Sequence, residues 1–400
     1  MVMTMGLRAD YLQDIAEELV PLYAQLQTDI LEDVARRVAK TGRITETADW
    51  QMRKMREAGI VNRDATRRIA RLSGETQRTI TSVFDRACTK AIGADDAIYK
   101  AAGLKLTPIS ASQSYRQIML AGVEKTKGLF QNFTLTTANS AGQIYTTVMD
   151  RAYMQVTSGA FSFDEALRRA IRSLARDGIT SLTYDRSGAV SSAESAARRS
   201  LLTGLNQTTA QLQLQRASEL GSDLVEVTAH LGARPSHAVW QGGIYSLSGK
   251  HPSYKNFYDE TGYGTGDGLC GWNCYHNFFP FFEGLSRPTF QDMRSPNGKT
   301  NDQLYEESQR QRALERAIRA SKREVTVLDA ARGSSRDPEL TEYLDGEFRR
   351  ASVTLKARRR RLEEFLDETG RRADPIRIMT PDFSRSTSSK ASWAARKAGR

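Results

Sequence analysis

The chain has little of what would tie it together covalently or carry it through a bilayer. Three cysteines in 400 residues cannot all pair, and Cys88 stands far in sequence from Cys270 and Cys274, which excludes a secreted disulfide framework. Hydrophobic residues make up 39% of the sequence; globular chains typically reach ~45–50% with glycine counted. No run approaches the ~18–20 consecutive apolar residues that cross a membrane, and Met1 to Asp10 offers no apolar core of signal-peptide length. These shortages point to a protein made in a cytosol, built of well-solvated helices around modest cores. Histidine is also scarce: there are four, and all of them (His230, His237, His251, His276) fall within one stretch, Ala229 to Pro280.

What is present is length and positive charge. Four hundred residues suffice for two or three domains at the usual ~100–200 residues each. The formal charge of +11 and pI near 9.6 suggest a polyanionic neighbour, either nucleic acid or an acidic protein surface.

Apolar positions from Leu12 through Ile15, Leu19, Leu22, Leu26, Ile30, Val34 and Val38 recur at three- and four-residue steps, which predicts an amphipathic helix bent or divided near Pro21. Thr45 or Thr47 can cap the next helix. Further helical runs follow over Asn62–Leu72, Glu75–Ala102, Ser110–Thr126, Gln143–Ser158 and Phe163–Ala175, the last stopped by Gly178. Leu129–Ala138 is aromatic and β-branched and reads as a short strand or an irregular link, and Ile179–Tyr184 as a brief strand. A helix is expected from Ser191 to Leu220, ending at Gly221, and then strands at Val225–Ala229 and Ile244–Leu247. Beyond the loop Pro296-Asn-Gly, mixed-charge helices are expected over Leu304–Ser321 and Pro338–Asp367. Val325, Leu328, Leu344, Phe348, Leu355, Leu362, Phe365 and Leu366 can form one seam there. Arg371 to Arg400 carries eight Lys/Arg against two Asp and reads as a flexible basic tail.

The expected fold is therefore mainly α, with a helical N-terminal region (1–190), a compact α+β module (191–295, centred on Val225–Pro288), a charged helical arm (296–370) and the basic tail (371–400). Three constellations carry chemistry. Cys270-Gly-Trp-Asn-Cys274-Tyr-His276, with His237 or His251 as a fourth ligand, can make a tetrahedral zinc site; alternatively, the thiols pack as small hydrophobes and the imidazoles only hydrogen-bond. Arg234, His237 and His276, with Asp267, can supply a cation, a base and an acid for phosphodiester cleavage, although no activated nucleophile accompanies them. Arg358, Arg359, Arg360, Arg361, Arg371 and Arg372 can contact DNA phosphates or form a solvated face. The run Gly262-Tyr-Gly-Thr-Gly-Asp-Gly lacks the Gly-Lys-Ser/Thr ending of a P-loop. Its glycines more simply supply turns around an aromatic core.

Read together, His230-Leu-Gly-Ala-Arg-Pro-Ser-His-Ala-Val-Trp-Gln-Gly and Tyr263-Gly-Thr-Gly-Asp-Gly-Leu-Cys-Gly-Trp-Asn-Cys-Tyr-His resemble the tailed-bacteriophage minor capsid protein 2 family. That family is similar to the MuF-type head morphogenesis proteins. Asp95-Asp-Ala-Ile-Tyr, Ser158-Gly-Ala-Phe-Ser-Phe-Asp-Glu-Ala and Leu202-Thr-Gly-Leu-Asn-Gln-Thr extend the resemblance, which covers roughly Asp10 to Pro288 and stops before Arg294. The family signature maps onto Arg234, His237, Trp240, Gly242, Cys270, Trp272, Asn273, Cys274 and His276, with Tyr275 where arginine is more usual. The resemblance implies a non-enzymatic virion component assembled in the bacterial host cytoplasm. Its implied partner is the portal protein, with major capsid or scaffold protein and packaged double-stranded DNA as further neighbours.

Overall fold

The computed structural model describes residues 7–41, 48–108, 111–177, 193–290, 298–380 and 382–398, with the segments 182–183 and 190–191 and residue 295. Thr45, Thr47, Gly178, Pro296 and Asn297 lie outside the described residues. The described chain is mainly helical, with a small three-stranded antiparallel sheet and a separate two-stranded antiparallel pair. In order it forms α1 (Ala9–Ala16), α2 (Val20–Ala39), α3 (Ala48–Ala101), α4 (Gln113–Thr157), α5 (Phe163–Asp177), β1 (Leu182–Thr183), β2 (Val190–Ser191) and α6 (Ala193–Leu220). It continues with β3 (Leu224–Val227), α7 (Pro235–Ala238), β4 (Ile244–Ser246), α8 (Phe257–Thr261), β5 (Phe278–Pro280), α9 (Asn301–Arg332), α10 (Pro338–Thr369) and α11 (Arg385–Lys397). No helix among the described residues is long and apolar enough to cross a membrane.

The periodicity located most helices and misjudged several joints. The first amphipathic stretch is indeed divided, between Ala16 and Val20, and Pro21 is the second residue of α2; in a first turn its missing N–H leaves no helical bond unmade. The separate runs expected over 62–102 belong to one 54-residue helix, α3. Leu129–Ala138 is neither strand nor link but the middle of α4. Phe130, Thr134 and Thr137 are buried there at helical steps. The Thr134 and Thr136 hydroxyls donate back to the carbonyls of Gln131 and Asn132 at 2.9 Å each, so packing and local bonding override β propensity.

The compact units are not the successive stretches the composition suggested. Each is assembled from three separated segments: unit 1 from Met1–Leu19, Glu75–Phe130 and Ala197–Gln309, unit 2 from Val20–Gly74, Gln131–Ala196 and Arg310–Arg400. In unit 1, α4 and α6 meet through reciprocal glycine–threonine contacts. A Cβ on Gly122 would lie 2.1 Å from Thr208 Oγ1, and one on Gly204 2.2 Å from Thr126 Oγ1. Arg216 of α6, almost fully buried, is satisfied by a two-pronged pair with Asp96 at 2.7 and 2.8 Å and by the Thr107 carbonyl at 3.0 Å. The sheet runs β4-β3-β5, with Val225 opposite both Tyr245 and Pro280. All four residues of β3 are buried. Glu226 tolerates burial because its Oε1 accepts the N–H groups of Thr289 and Phe290 at 2.6 and 3.2 Å.

Unit 2 is held by an aliphatic and aromatic core that includes Val34, Val38, Val61, Ile171, Leu174 and the C-terminal seam. Val325, Leu328, Leu344, Phe348, Leu355, Leu362 and Phe365 are all buried, as the spacing predicts. The stretch from Arg371 onward is not a free tail. Ser384 caps α11 by accepting the Thr387 N–H at 3.1 Å, and Ala391, Ala394 and Ala395 are buried where α11 packs on α10. Small residues at helical spacing set this docking, a signal that the excess of positive charge concealed. Gly399 and Arg400 lie outside the described residues.

Candidate functional site

The four histidines, Cys270 and Cys274 are carried by loops that hang from the three strands in unit 1. After β3, Pro235 opens the single turn of α7 and places His237. Gly242, at φ 71°, turns the chain back, and the Gly242 N–H reaches the Val227 carbonyl at 3.1 Å to start β4. Asn256 caps α8, accepting from Tyr258 N–H at 2.8 Å. The glycine run that follows is a backbone knot: a Cβ on Gly268 would lie 1.9 Å from the Gly262 carbonyl oxygen. No phosphate cradle opens there; the Trp272 N–H closes the knot on the Gly266 carbonyl at 2.7 Å.

Two non-glycine residues of this loop, Cys270 (φ 61°) and Asn273 (φ 53°), hold left-handed backbone. Asparagine adopts that region readily, but for cysteine it costs about 1–2 kcal/mol. Burial of Cys270 and Cys274 among Val225, Val227, Trp240, Phe257, Leu269 and Phe278 offsets this. The bend aims Cys274 at His276: Cys274 Sγ lies 3.6 Å from His276 Nδ1 and accepts the His276 N–H at 3.4 Å.

The imidazoles form one packed group. His276 stacks on His230 with ring centroids 4.5 Å apart and meets Trp240 edge-on at 4.9 Å; His237 lies 4.6 Å from Trp240 and 5.4 Å from His276. Hydrogen bonding fixes their protons. Gln241 Oε1 accepts the His230 backbone N–H at 3.1 Å, so His276 Nε2, 3.0 Å from the same oxygen, must carry the hydrogen and donate it. His237 Nε2, 2.8 Å from the Asp267 carbonyl, must donate as well. In both rings Nδ1 is left with its lone pair. Burial lowers the pKa of His237 and drives that of His276 well below the ordinary imidazole range, with His230, His237 and Arg234 adding repulsion at His276. Burial likewise pushes the Cys274 thiol up to about 11 and Cys270 well above its usual value. The resting cluster is two neutral imidazoles and two protonated thiols.

The structure brings His237, Cys274 and His276 together, one ligand atom from each lying within 4.8 Å of the others. Other candidates separate from them. Cys270 turns its Sγ to the His276 carbonyl, 3.8 Å away, and stands outside the three-donor group. His251 is no fourth ligand, since its Nε2 faces Glu283 at 3.5 Å. Arg234 donates to the Trp272 carbonyl at 3.3 Å and lies 4.0 Å from the exposed carboxylate of Asp267, while the Trp272 ring is 56% exposed. An acid–base pair for phosphodiester cleavage needs access to its substrate, whereas both of its proposed histidines are buried and bonded within the fold.

The residues that support the group went unrecognised in the sequence. Asn206 of α6 is fully buried and donates to the carbonyls of Cys274 at 3.1 Å and His276 at 2.9 Å. Asn277 donates its own N–H to Thr228 Oγ1 at 2.9 Å and its side-chain amide to Asn206 Oδ1 at 3.3 Å. A clue lay in Leu202-Thr-Gly-Leu-Asn-Gln-Thr, where an amide interrupts an apolar helical face; the residue it would serve lies some 70 positions away.

The proposed DNA contacts fare unevenly. Arg358 donates to the Ala317 carbonyl and Ser321 Oγ at 2.9 and 2.6 Å, and Arg360 pairs with Glu364 at 2.7 Å. Arg359 lies over Phe383, and Arg371 donates to Gln311 at 2.6 Å. Arg361 and Arg372 are exposed. Arg358, Arg359 and Arg371 thus make contacts within the fold, while Arg360, Arg361 and Arg372 are exposed.

Comparison with known proteins agrees with the motifs and extends them. The phage minor capsid protein 2 family matches residues 7–367, well past the stretch over which the motifs alone showed the resemblance. A structural protein of Lactococcus phage LL-H is similar to this chain, 23% identical over 286 residues that cover 68% of this chain and 76% of the relative. No solved structure matches. With the match running through both compact units, the chain belongs to the phage minor capsid protein 2 family.

Proposed function

We propose that this minor capsid protein joins the portal vertex during prohead assembly in the host cytoplasm and stays in the head beside packaged DNA. The observation that carries the reading is the family match over residues 7–367. The buried, internally bonded histidines support a structural module, akin to that of MuF-type head morphogenesis proteins, over a nuclease. The module exposes several apolar side chains, Val239 at 83%, Trp272 at 56% and Leu231 at 42%, and Arg234 reaches the Trp272 backbone. Exposed aromatic and aliphatic side chains beside arginine are the composition of protein interfaces. The net charge of +11 suits a site near DNA, with Arg361 and Arg372 the exposed members of the arginine set. The major capsid or scaffold protein is a further partner under this reading.

The test is co-purification of the full chain with the portal protein of the same genome. Stable capture is expected, weakened at least about tenfold by joint Val239→Asp and Trp272→Ala substitution, as loss of central interface anchors predicts. Absence of capture by the wild-type chain under assembly conditions would sink the portal assignment.

A further inference from the structure

We propose that His237, Cys274 and His276 form a zinc-binding site that staples the α7 turn to the loop preceding β5. Three independent features carry this. First, two imidazoles and a thiol, all buried, place one ligand atom each within 4.8 Å of the others beside an apolar and aromatic core. Second, the Cys274 Sγ to His276 Nδ1 separation is 3.6 Å. A tetrahedral ion with Zn–S of about 2.3 Å and Zn–N of about 2.0–2.1 Å spaces its sulfur and nitrogen ligands by about 3.5 Å, so this edge already has the required length. Third, the remaining nitrogens are engaged as a metal site needs. His276 Nε2 donates to Gln241 Oε1 and His237 Nε2 to the Asp267 carbonyl, which leaves Nδ1 as the nitrogen of each ring able to bind a metal. Outer-shell acceptors of this kind orient metal-binding histidines and strengthen them as donors.

The backbone fits the same role. Left-handed Cys270 and Asn273 bend the loop so that Cys274 and His276, two residues apart, present sulfur and nitrogen on one side. Asn206 holds both of their carbonyls. Binding expels the Cys274 thiol proton to solvent, and the thiolate–zinc bond replaces it, so no oxidant or reductant is involved. A mixed nitrogen and sulfur set favours zinc over the oxygen-seeking magnesium and calcium. Cys270 is not counted as a ligand, because its Sγ lies outside the three-donor group.

The experiment uses the full chain, untagged and purified without chelator, with zinc measured by mass spectrometry. Near-stoichiometric zinc is expected in the wild type and in Cys270→Ala, with a loss of at least tenfold in Cys274→Ser. Chelated wild-type protein given Co²⁺ should develop a thiolate-to-cobalt charge-transfer band and the visible bands of a tetrahedral ion. That second measurement needs no variant, so it decides the matter even if Cys274→Ser does not fold. Wild-type protein that neither retains zinc nor shows the thiolate–cobalt band overturns the site, and a folded Cys270→Ala chain that loses its zinc overturns the ligand set. Neither outcome bears on portal capture, which is measured separately.

Discussion

The loops between β3 and β5 and the helices from Asn301 to Lys397 solve the same problem in opposite ways. Around β3, specific polar side chains hold specific partners: Asn206 the Cys274 and His276 carbonyls, Gln241 His230 and His276, and Glu226, through Oε1, Thr289 and Phe290, while Glu226 Oε2 and Asn277 Oδ1 stay buried without a hydrogen bond. Backbone approaches are close enough that a single methyl group would collide. In the helical arm a repeating seam of Leu, Val and Phe does the work, with arginines laid along it, such as Arg332 over Phe348 and Arg310 over Phe365. The first design depends on the identity of each residue and the second on spacing.

The sharpest way to break this comparison is Gly268→Ala. The new Cβ would meet Gly262 backbone atoms at 1.9, 2.4 and 2.9 Å, and backbone cannot swing aside as a flexible side chain can. The expected loss is about 3 kcal/mol or more, read as a lower denaturation midpoint. A loss under about 1 kcal/mol would show that the loop has slack and that position-by-position matching is the wrong description.

A smaller effect should come from an unmatched carboxylate among the C-terminal helices. Asp382 sits near Asp29, Glu32, Thr28 and Arg68; its Oδ2 is buried with no hydrogen-bond partner, and burial with the two acids pushes its pKa from 3.8 to about 7. Folded protein therefore keeps a proton that the unfolded chain has released between those values. Stability should fall as pH rises from about 4 to about 7 and level off above, the direction that linkage requires for a raised acid. Asp382→Asn should flatten that slope. Thermal midpoints at acidic and neutral pH for both proteins check it, and an unchanged slope in the variant would place the pH dependence elsewhere.

How much of this was legible in the sequence follows the same division. Long helices and the seam were readable because periodicity is a local signal; Val325, Leu344 and Phe348 are buried where their spacing put them. So was the existence of the cluster, since histidine and cysteine are rare enough to draw attention. Its composition was only partly readable. Neither His251 nor Cys270 could be told from His237 and Cys274 by spacing, because their positions depend on a left-handed turn and on strand register. Asn206 and Gln241 are ordinary residue types whose roles arise only from contacts with distant segments. The tail was misjudged for a related reason: charge dominates its composition, whereas three alanines decide its docking.

The smallest effect has the opposite sign, and so tests the comparison most directly. Gly346 lies inside α10, where a Cβ would meet nothing closer than the Arg350 guanidinium nitrogen at 3.8 Å, an ordinary contact with the end of a mobile side chain. Its backbone is helical, so alanine fits the existing conformation while narrowing the freedom of the unfolded chain. Gly346→Ala should stabilise the protein by about 0.5–1 kcal/mol, the helix-propensity difference between the two residues. The same substitution thus costs several times more at Gly268 than it returns at Gly346. Raised stability at Gly346 with a collapse at Gly268 would confirm that spacing governs the arm and residue identity governs the loops; a loss at Gly346 would mean that α10 too is fitted residue by residue.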